Sequence, residues 1–314
     1  NFRQEIFERV FDLQKFKYNR ENQSKMQQNI MKKIFTLFVL FFFFIGNTQV
    51  KIPKEITFDT PFATAENSVI LLPVNNSNKD LSVGIPYFDE SAGYSFKFLG
   101  TLIPEMETFV FKPSESNLIA RWQNLALPVG VIPTQKITEW KIPDPSDFLK
   151  NYKSSRPEYE VLVDKYSFLN GSNFSVLALK GLEELKSKNY KSKKFYFELA
   201  YAYNALENFS KAEATVDEAA LNAYSSELLI KEKHFAMLNQ KKTLEAATYL
   251  ESNFKNFKSN TFKSECIVNQ TSNFYKISDF ENTKKWIGLY KKEIGTDQYK
   301  ANIEQLETAL KKKK

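Results

Sequence analysis

The chain has 314 residues and 42% hydrophobic content, enough for one large or two ordinary domains with buried cores. Its formal charge of +7 is concentrated at the ends, because residues 1–48 carry four more cations than anions and residues 311–314 are all lysine. The remaining body is close to neutral, which excludes a broadly basic surface for nucleic acid. The single cysteine, Cys266, excludes an intrachain disulfide and a thiolate metal cluster.

A short apolar run near the N-terminus is typical of a secretory signal. Met31 is followed by two lysines and by the apolar residues 34–46, which at about 13 residues are too few to span a bilayer. We therefore expect residues 1–30 to be an upstream non-native extension and residues 31–48 to be a signal peptide. No cysteine follows that could carry a lipid, so the expected location is periplasmic or secreted, with membrane contact only through the uncleaved signal.

Residues 49–145 have the pattern of short strands interrupted by prolines, and all 11 prolines lie between Pro53 and Pro157. Predicted strands cover residues 56–58, 69–74, 81–85, 94–103 and 108–111. Residues 94–98 are expected to pair with residues 107–111 through a turn at Pro104 and Glu105, while residues 118–127 fit either a helix capped by Ser116 or another strand. The prediction is a small β-rich domain, sandwich-like at best. Residues 142–146, which contain two prolines, are expected to be extended, and residues 146–154 to form the linker.

Residues 155–314 change to helical periodicity. Ser155 and Glu158 predict a capping box with Pro157 in the first turn, and Ser172 and Ser210 are predicted to cap later helices. Apolar residues with helical spacing then fall in two successive blocks. The first block contains Tyr196, Leu199, Ala200 and Tyr203, and the second contains Ala212, Val216 and Ala219. Only a tight connection fits between them, which predicts a helical hairpin.

Residues 193–226 resemble a tetratricopeptide repeat (TPR), a helix-turn-helix unit with a repeat length of about 34 residues. The two apolar blocks occupy its signature positions, although Tyr224 replaces the usual closing proline and Glu207 the usual turn glycine. Ala246 lies one repeat length after Ala212 and marks a weaker second unit, while a third needs a shift of three positions, and residues 155–190 fit a degenerate opening unit. The predicted fold class is α+β and multi-domain: a small β-rich domain, then an all-α array of TPR-like hairpins.

The resemblance implies a concave face, lined by the first helix of each repeat, that binds a protein or peptide segment. By position, this face would present Lys194, Phe197, Tyr201, Asn204, Lys231, Phe235, Asn239 and Tyr275. Their aromatic share favours hydrophobic anchors over a basic clamp for carboxylates. The alternative is that some of these side chains pack against neighbouring helices.

Residue types that support catalysis are sparse. His234 is the only histidine and stands beside Phe235 in a predicted repeat helix, which favours a packing role over a triad. Two-carboxylate hydrolysis stays open for the β-rich half, on Asp59, Asp89, Glu90, Glu105, Glu107 and Asp144. We expect a scaffold without catalytic activity, cofactor or metal. The second hypothesis is a glycan- or cell-envelope-binding module that uses Trp122, Trp140 and tyrosines of the β-rich domain.

Overall fold

The computed structural model describes residues 52–73, 81–106, 108–151, 154 and 156–312. The expected upstream extension and signal peptide lie outside these residues. Contacts divide the chain into two compact units, with the division between Ser154 and Ser155. A β-sheet in the first unit is followed by helices in the second, so the fold is α+β.

The strands of the first unit form one antiparallel sheet. They are β1 (Phe58–Pro61), β2 (Ile70–Leu71), β3 (Leu81–Asp89), β4 (Gly93–Glu105), β5 (Thr108–Pro113), β6 (Ile119–Arg121) and β7 (Pro128–Val131). Their order is β1-β7-β2-β3-β4-β5, with β6 also paired to β4. The expectation of a sandwich is therefore wrong for the described strands, since all seven belong to a single sheet.

The predicted hairpin around Pro104 forms, but with a different register. β5 pairs with the second half of β4, from Gly100 to Glu105, and the first half of β4 pairs with β6 instead. Pro104 lies inside the strand, and the chain reverses after Glu105, where Met106 has a positive φ of 43°. The predicted turn lies two residues before the observed one, and β5 reaches back only to Gly100, so residues 95–97 pair with β6 rather than with β5.

The described part of the first unit also contains two short α-helices, α1 (Thr134–Glu139) and α2 (Pro145–Asn151), and a 3₁₀ helix at Phe62–Ala65. The ring of Trp140, just after α1, packs 5.8 Å from Phe109 in a core cluster that also takes side chains from β2, β3 and β4. Helix α2 occupies part of the linker predicted at residues 146–154, and Pro145 and Ser146 belong to this helix rather than to the extended segment predicted for residues 142–146. The Asp144 carboxylate accepts a bond from the Ser146 N–H at 2.8 Å, and a proline is well tolerated at the first helical position.

The described part of the second unit contains four pairs of helices followed by a single last helix. They are α3 (Glu158–Gly171), α4 (Ser175–Ser187), α5 (Lys193–Ala205), α6 (Phe209–Leu221), α7 (Glu227–Asn239), α8 (Thr243–Asn253), α9 (Asn260–Lys276), α10 (Phe280–Glu293) and α11 (Lys300–Lys311). Each of α3, α5, α7 and α9 packs on the helix that follows it. Helices of this spacing and pairing bury apolar faces on both sides, as Leu199 and Ala200 show by being fully buried.

Serine caps mark the starts of three helices at nearly constant spacing. Ser192, Ser226 and Ser259 each accept a bond from the backbone N–H three residues later, at the starts of α5, α7 and α9. The caps predicted at Ser172 and Ser210 are wrong, because α4 begins after Phe174 and α6 begins after Asn208, while the cap predicted at Ser155 lies outside the described residues. The Ser210 hydroxyl instead donates to Gln240 Oε1, and Pro157 precedes α3 rather than lying in its first turn.

The turns inside the pairs also recur at the repeat length. Asn173, Glu207 and Lys241 all adopt left-handed backbone, with φ of 66°, 60° and 64°. The next N–H in each case bonds back to the preceding helix, as Asn208 does to Tyr203 O at 2.7 Å. A glutamate thus occupies a left-handed position that glycine would adopt at lower cost. The following turn residue, Ser278, is displaced from the repeat spacing by the same shift of three positions that the sequence shows.

Within the described residues, the helices are all too short or too polar to cross a membrane.

Candidate functional site: the row of first helices

Four helices form a continuous row in the second unit. α3 packs on α5, α5 on α7 and α7 on α9, while α4, α6 and α8 fill the intervals behind them. We call α3, α5, α7 and α9 the first-helix row. All eight residues predicted to bind a partner belong to this row.

The aromatic residues predicted for binding are half-buried on the row. The rings of Phe197 and Tyr201 lie 6.3 Å apart on α5. Phe235 stands on α7 at the position equivalent to Tyr201 in the next repeat, and its ring packs 6.1 Å from Phe209. Tyr275 lies 5.9 Å from the ring of Phe280. Each ring therefore has an intrachain neighbour and keeps part of its surface in solvent.

Two of the predicted polar residues are exposed, Lys194 and Asn239. The Lys194 ammonium pairs with Asp164 of α3, whose carboxylate also binds Arg156 at 2.7 Å. Burial would raise the pKa of Asp164, but these two cations outweigh it and the pKa is lowered. Asn239 donates to Phe235 O of its own helix at 2.8 Å. Both side chains therefore bind groups of their own unit and are exposed to solvent.

Asn204 and Lys231 are buried, contrary to the expected open placement. They are 6% and 8% exposed, and both bind carboxyl groups of the next helix in the row. Asn204 Nδ2 donates to Glu232 O at 3.0 Å and to Glu232 Oε2 at 2.9 Å. Lys231 Nζ lies 3.2 Å from both carboxylate oxygens of Glu265. Both residues thus follow the alternative of packing against neighbouring helices. Their particular partners could not be predicted from the sequence, because Asn, Lys and Glu are usually surface residues.

The carboxyl groups concerned occupy equivalent positions in successive first helices. Glu198, Glu232 and Glu265 each lie six residues after the capping serine of their helix, and all three are buried. Asp164 is the equivalent residue of α3, one repeat length before Glu198. These carboxyl groups could have been identified from the sequence, because an acidic residue recurs at the repeat spacing.

The first two junctions of the row are built alike. Asn170 Nδ2 donates to Glu198 O at 3.0 Å and to Glu198 Oε2 at 2.9 Å, the same pair of bonds that Asn204 makes with Glu232. Burial raises the pKa of both glutamates, although nearby polar groups oppose this. The α3–α5 and α5–α7 junctions are thus closed by an amide and a carboxyl group.

The third junction is closed by an ion pair instead. Leu238 stands on α7 where Asn204 stands on α5, so Glu265 receives no amide and is paired with Lys231. Burial by itself would lower the pKa of Lys231, but the adjacent Glu265 carboxylate outweighs it and the pKa is raised. Lys231 also lies 5.6 Å above the Phe262 ring. This ammonium is fully engaged inside the unit.

The only histidine and the only cysteine are buried in the same region. His234 Nε2 lies 2.9 Å from Gln270 Oε1, and Gln270 Nε2 donates to Thr243 O at 3.0 Å, which ties α7, α8 and α9 together. Burial lowers the pKa of His234 to about 4. Burial also raises the pKa of the Cys266 thiol. A neutral imidazole and a protonated thiol suit packing roles.

The tryptophans of the alternative glycan site are packed against other rings. Trp140 is 5% exposed and belongs to the core of the first unit. Trp122 is half-buried and stacks on Phe62 with ring centroids 4.9 Å apart. A sugar ring needs an open aromatic face, so this placement gives the alternative little support.

A shallow cavity of about 350 Å³ lies away from the first-helix row, between α10 and α11. Its floor is formed by Ile287, Gly288 and Leu310, and lysine stems line its rim. Lys291 and Glu307 pair across it at 2.8 Å. None of the eight predicted residues lines this cavity, and we place the candidate site on the row.

Comparison with family models and with characterised proteins finds no match for this chain. Its function must therefore be argued from its own residues.

Proposed function

We propose that the protein is an exported, non-catalytic scaffold whose TPR-like helical array binds a protein or peptide segment along the first-helix row. Export is proposed from the pattern of residues 31–48, and a periplasmic or secreted location follows from it. The TPR-like assignment is supported by the recurrence of caps, turns and buried contacts at the repeat length in the second unit.

The observation that carries the proposal is that polar and aromatic residues of the first-helix row have different environments. Buried polar groups such as Asn204 and Lys231 bind neighbouring helices, whereas Phe197, Tyr201 and Phe235 keep part of each ring in solvent. Rigid aromatic side chains are the preferred anchors of protein interfaces, because they bury much area at low entropic cost. We therefore assign the binding energy to these rings, with Lys194 and Asn239 at the rim.

The absence of catalysis is also a proposal. It is supported by the burial of His234 and Cys266, the side chains best suited to act as base and nucleophile near neutral pH. In the first unit, the Asp89 carboxylate accepts bonds from the N–H groups of Ser91 and Ala92, both at 2.7 Å, and so closes a turn. That contact supports a structural role for one of the carboxylates considered above.

The test is a pull-down from envelope extract with the full chain as bait. Phe197→Ala combined with Tyr201→Ala should lose the partners that the wild-type chain retains, while the melting curve changes little. The matched control is Leu221→Ala combined with Leu244→Ala, two exposed leucines on α6 and α8, outside the row, which should retain them. Full retention by the aromatic double variant would contradict the proposal, and loss with Trp122→Ala alone would favour the glycan-binding alternative.

A further inference from the structure

Two buried acceptor atoms in the first-helix row lack a donor. Among the described residues, Asn170 Oδ1 and Asn204 Oδ1 are fully enclosed and have no hydrogen-bond donor within bonding distance. A buried carbonyl oxygen without a donor costs free energy, and two cases at equivalent positions of successive repeats indicate a common cause. Each amide lies against a glutamate carboxyl, since its Nδ2 is 2.9 Å from one carboxyl oxygen.

An ionised carboxylate cannot supply the missing donor, because it only accepts hydrogen bonds. A protonated carboxyl can, since its O–H donates while its other oxygen accepts from the amide nitrogen. An amide and a carboxylic acid then form a pair with two hydrogen bonds, in which each donor has an acceptor and each acceptor has a donor. We infer that the α3–α5 and α5–α7 junctions are each closed by a proton, with the glutamate O–H donating to the asparagine oxygen.

The charged groups around the two carboxyls are consistent with neutral acids. Glu198 faces Asp164, Ser167 and Asn170 from α3, and Lys194 and Tyr201 stand on its own helix. Lys194 is already paired with Asp164. Glu232 faces Asn204, Tyr201 and Glu198 from α5, Lys231 on α7, and Glu265 and Cys266 from α9. Its nearest cation, Lys231, lies 3.2 Å from both oxygens of Glu265.

The inference has a direct consequence for stability as pH changes. In the unfolded chain a glutamate ionises near pH 4.3, whereas in the folded protein burial raises the pKa of Glu198 and Glu232. Stability from these groups is therefore greatest below about pH 4.3 and is lost as pH rises through the folded pKa. Between about pH 4.3 and the folded pKa, each carboxyl that stays protonated in the folded protein increases the unfolding equilibrium constant about tenfold for every unit by which the pH rises.

The experiment compares urea unfolding of the full chain and of Glu198→Gln combined with Glu232→Gln, from about pH 5 to pH 8. Glutamine keeps a donor for the asparagine oxygen but does not titrate. Relative to this variant, the wild-type unfolding constant should rise up to about a hundredfold per pH unit, the value for two protons. In Glu198→Gln alone or Glu232→Gln alone, the slope should fall by the contribution of one proton, about tenfold per pH unit. The contribution of His234 cancels, because all these proteins share it.

The matched control is Glu213→Gln, outside these junctions. Burial would raise the pKa of Glu213, but its ion pair with Lys242 at 2.7 Å outweighs burial and the pKa is lowered, so this carboxyl is ionised in both the folded and the unfolded chain above about pH 5 and the variant should keep the wild-type pH slope. Equal slopes in the wild-type and double-glutamine proteins would overturn the inference.

A second measurement does not require any variant to fold. Infrared spectroscopy of the wild-type protein in D₂O at neutral pH should show the C=O stretch of protonated carboxyl groups. Its absence would also overturn the inference, and its loss in the double-glutamine variant would assign the band to these two residues.

Discussion

The buried pair of Lys231 and Glu265 makes a quantitative prediction about the α7–α9 junction. Their side chains are only 10% and 11% exposed, and the ammonium lies 3.2 Å from the carboxylate. Lys231→Met removes the cation and keeps much of the side-chain volume, so Glu265 is left charged in a site with little water. Breaking a buried ion pair in this way costs about 3–5 kcal/mol, most of it the penalty for the unpaired charge.

The same physics predicts a different result when both charges are removed. Lys231→Met combined with Glu265→Leu leaves no unpaired charge, so the double variant should unfold close to the wild-type midpoint or above it. The two single variants should therefore be strongly non-additive. Lys194→Met is the surface control, because Lys194 is about half exposed and its partner Asp164 keeps Arg156. It should cost less than about 1 kcal/mol.

The assay is urea unfolding at neutral pH, followed by circular dichroism, with the thermal midpoint as a second readout. For a unit of this size, each kcal/mol should shift the midpoint by roughly 2–4 °C. If Lys231→Met costs no more than Lys194→Met, the pair is not buried as described, and the packing of α7 on α9 would have to be revised.

Two further substitutions test the packing and capping of the helical unit. Leu199→Ala should lower the free energy of unfolding in urea by about 2–5 kcal/mol, because the Leu199 side chain is 0% exposed between its helices. An unchanged thermal midpoint would contradict the described packing of the hairpin. Ser226→Ala should cost about 1 kcal/mol, because its hydroxyl caps α7, whereas Ser210→Ala should cost within about 0.5 kcal/mol, because Ser210 caps no helix. Equal costs for the two serine variants would contradict the observed helix starts.

The helical half was predictable because its signal is local. Tyr196, Leu199, Ala200 and Tyr203 repeat with helical spacing, and the structure places all four inside α5 with their side chains buried. The position of helix starts was harder, since several serines lie near each turn and only backbone geometry decides which one caps. Ser210 fits a capping pattern in sequence, yet the left-handed backbone of Glu207 lets α6 begin at Phe209, one residue before Ser210.

The strand pairing was not predictable to the same degree, because it depends on non-local contacts. β4 is longer than the predicted strand and takes two partners on the same side, β6 and then β5. The strand alternative for residues 118–127 holds at Ile119–Arg121, but no local pattern indicates that this strand pairs with the first half of β4. A proline inside β4 added a false turn signal. Register errors of this kind follow from reading turns before knowing the pairing.

The buried polar junctions could be recognised only through the repeat. A single Asn or Glu in a helix gives no reason to expect burial, and in isolation Asn204 and Lys231 suggest contacts with a ligand. Alignment of the chain with itself at the repeat length changes this, because Asn170 and Asn204 then coincide, as do Asp164, Glu198 and Glu232. Polar residues that recur at the repeat spacing face the neighbouring repeat as readily as they face a partner.

This placement limits how the row can recognise a ligand. Drawing Asn204 or Lys231 towards a bound segment would leave Glu232 or Glu265 unpaired in a buried site, at a cost comparable to the gain from a new polar contact. Recognition on this face therefore favours groups whose movement breaks no junction. Those groups are the exposed parts of Phe197, Tyr201 and Phe235, so the partner that we propose is a segment that offers apolar side chains at the spacing of neighbouring helices, about 8–10 Å.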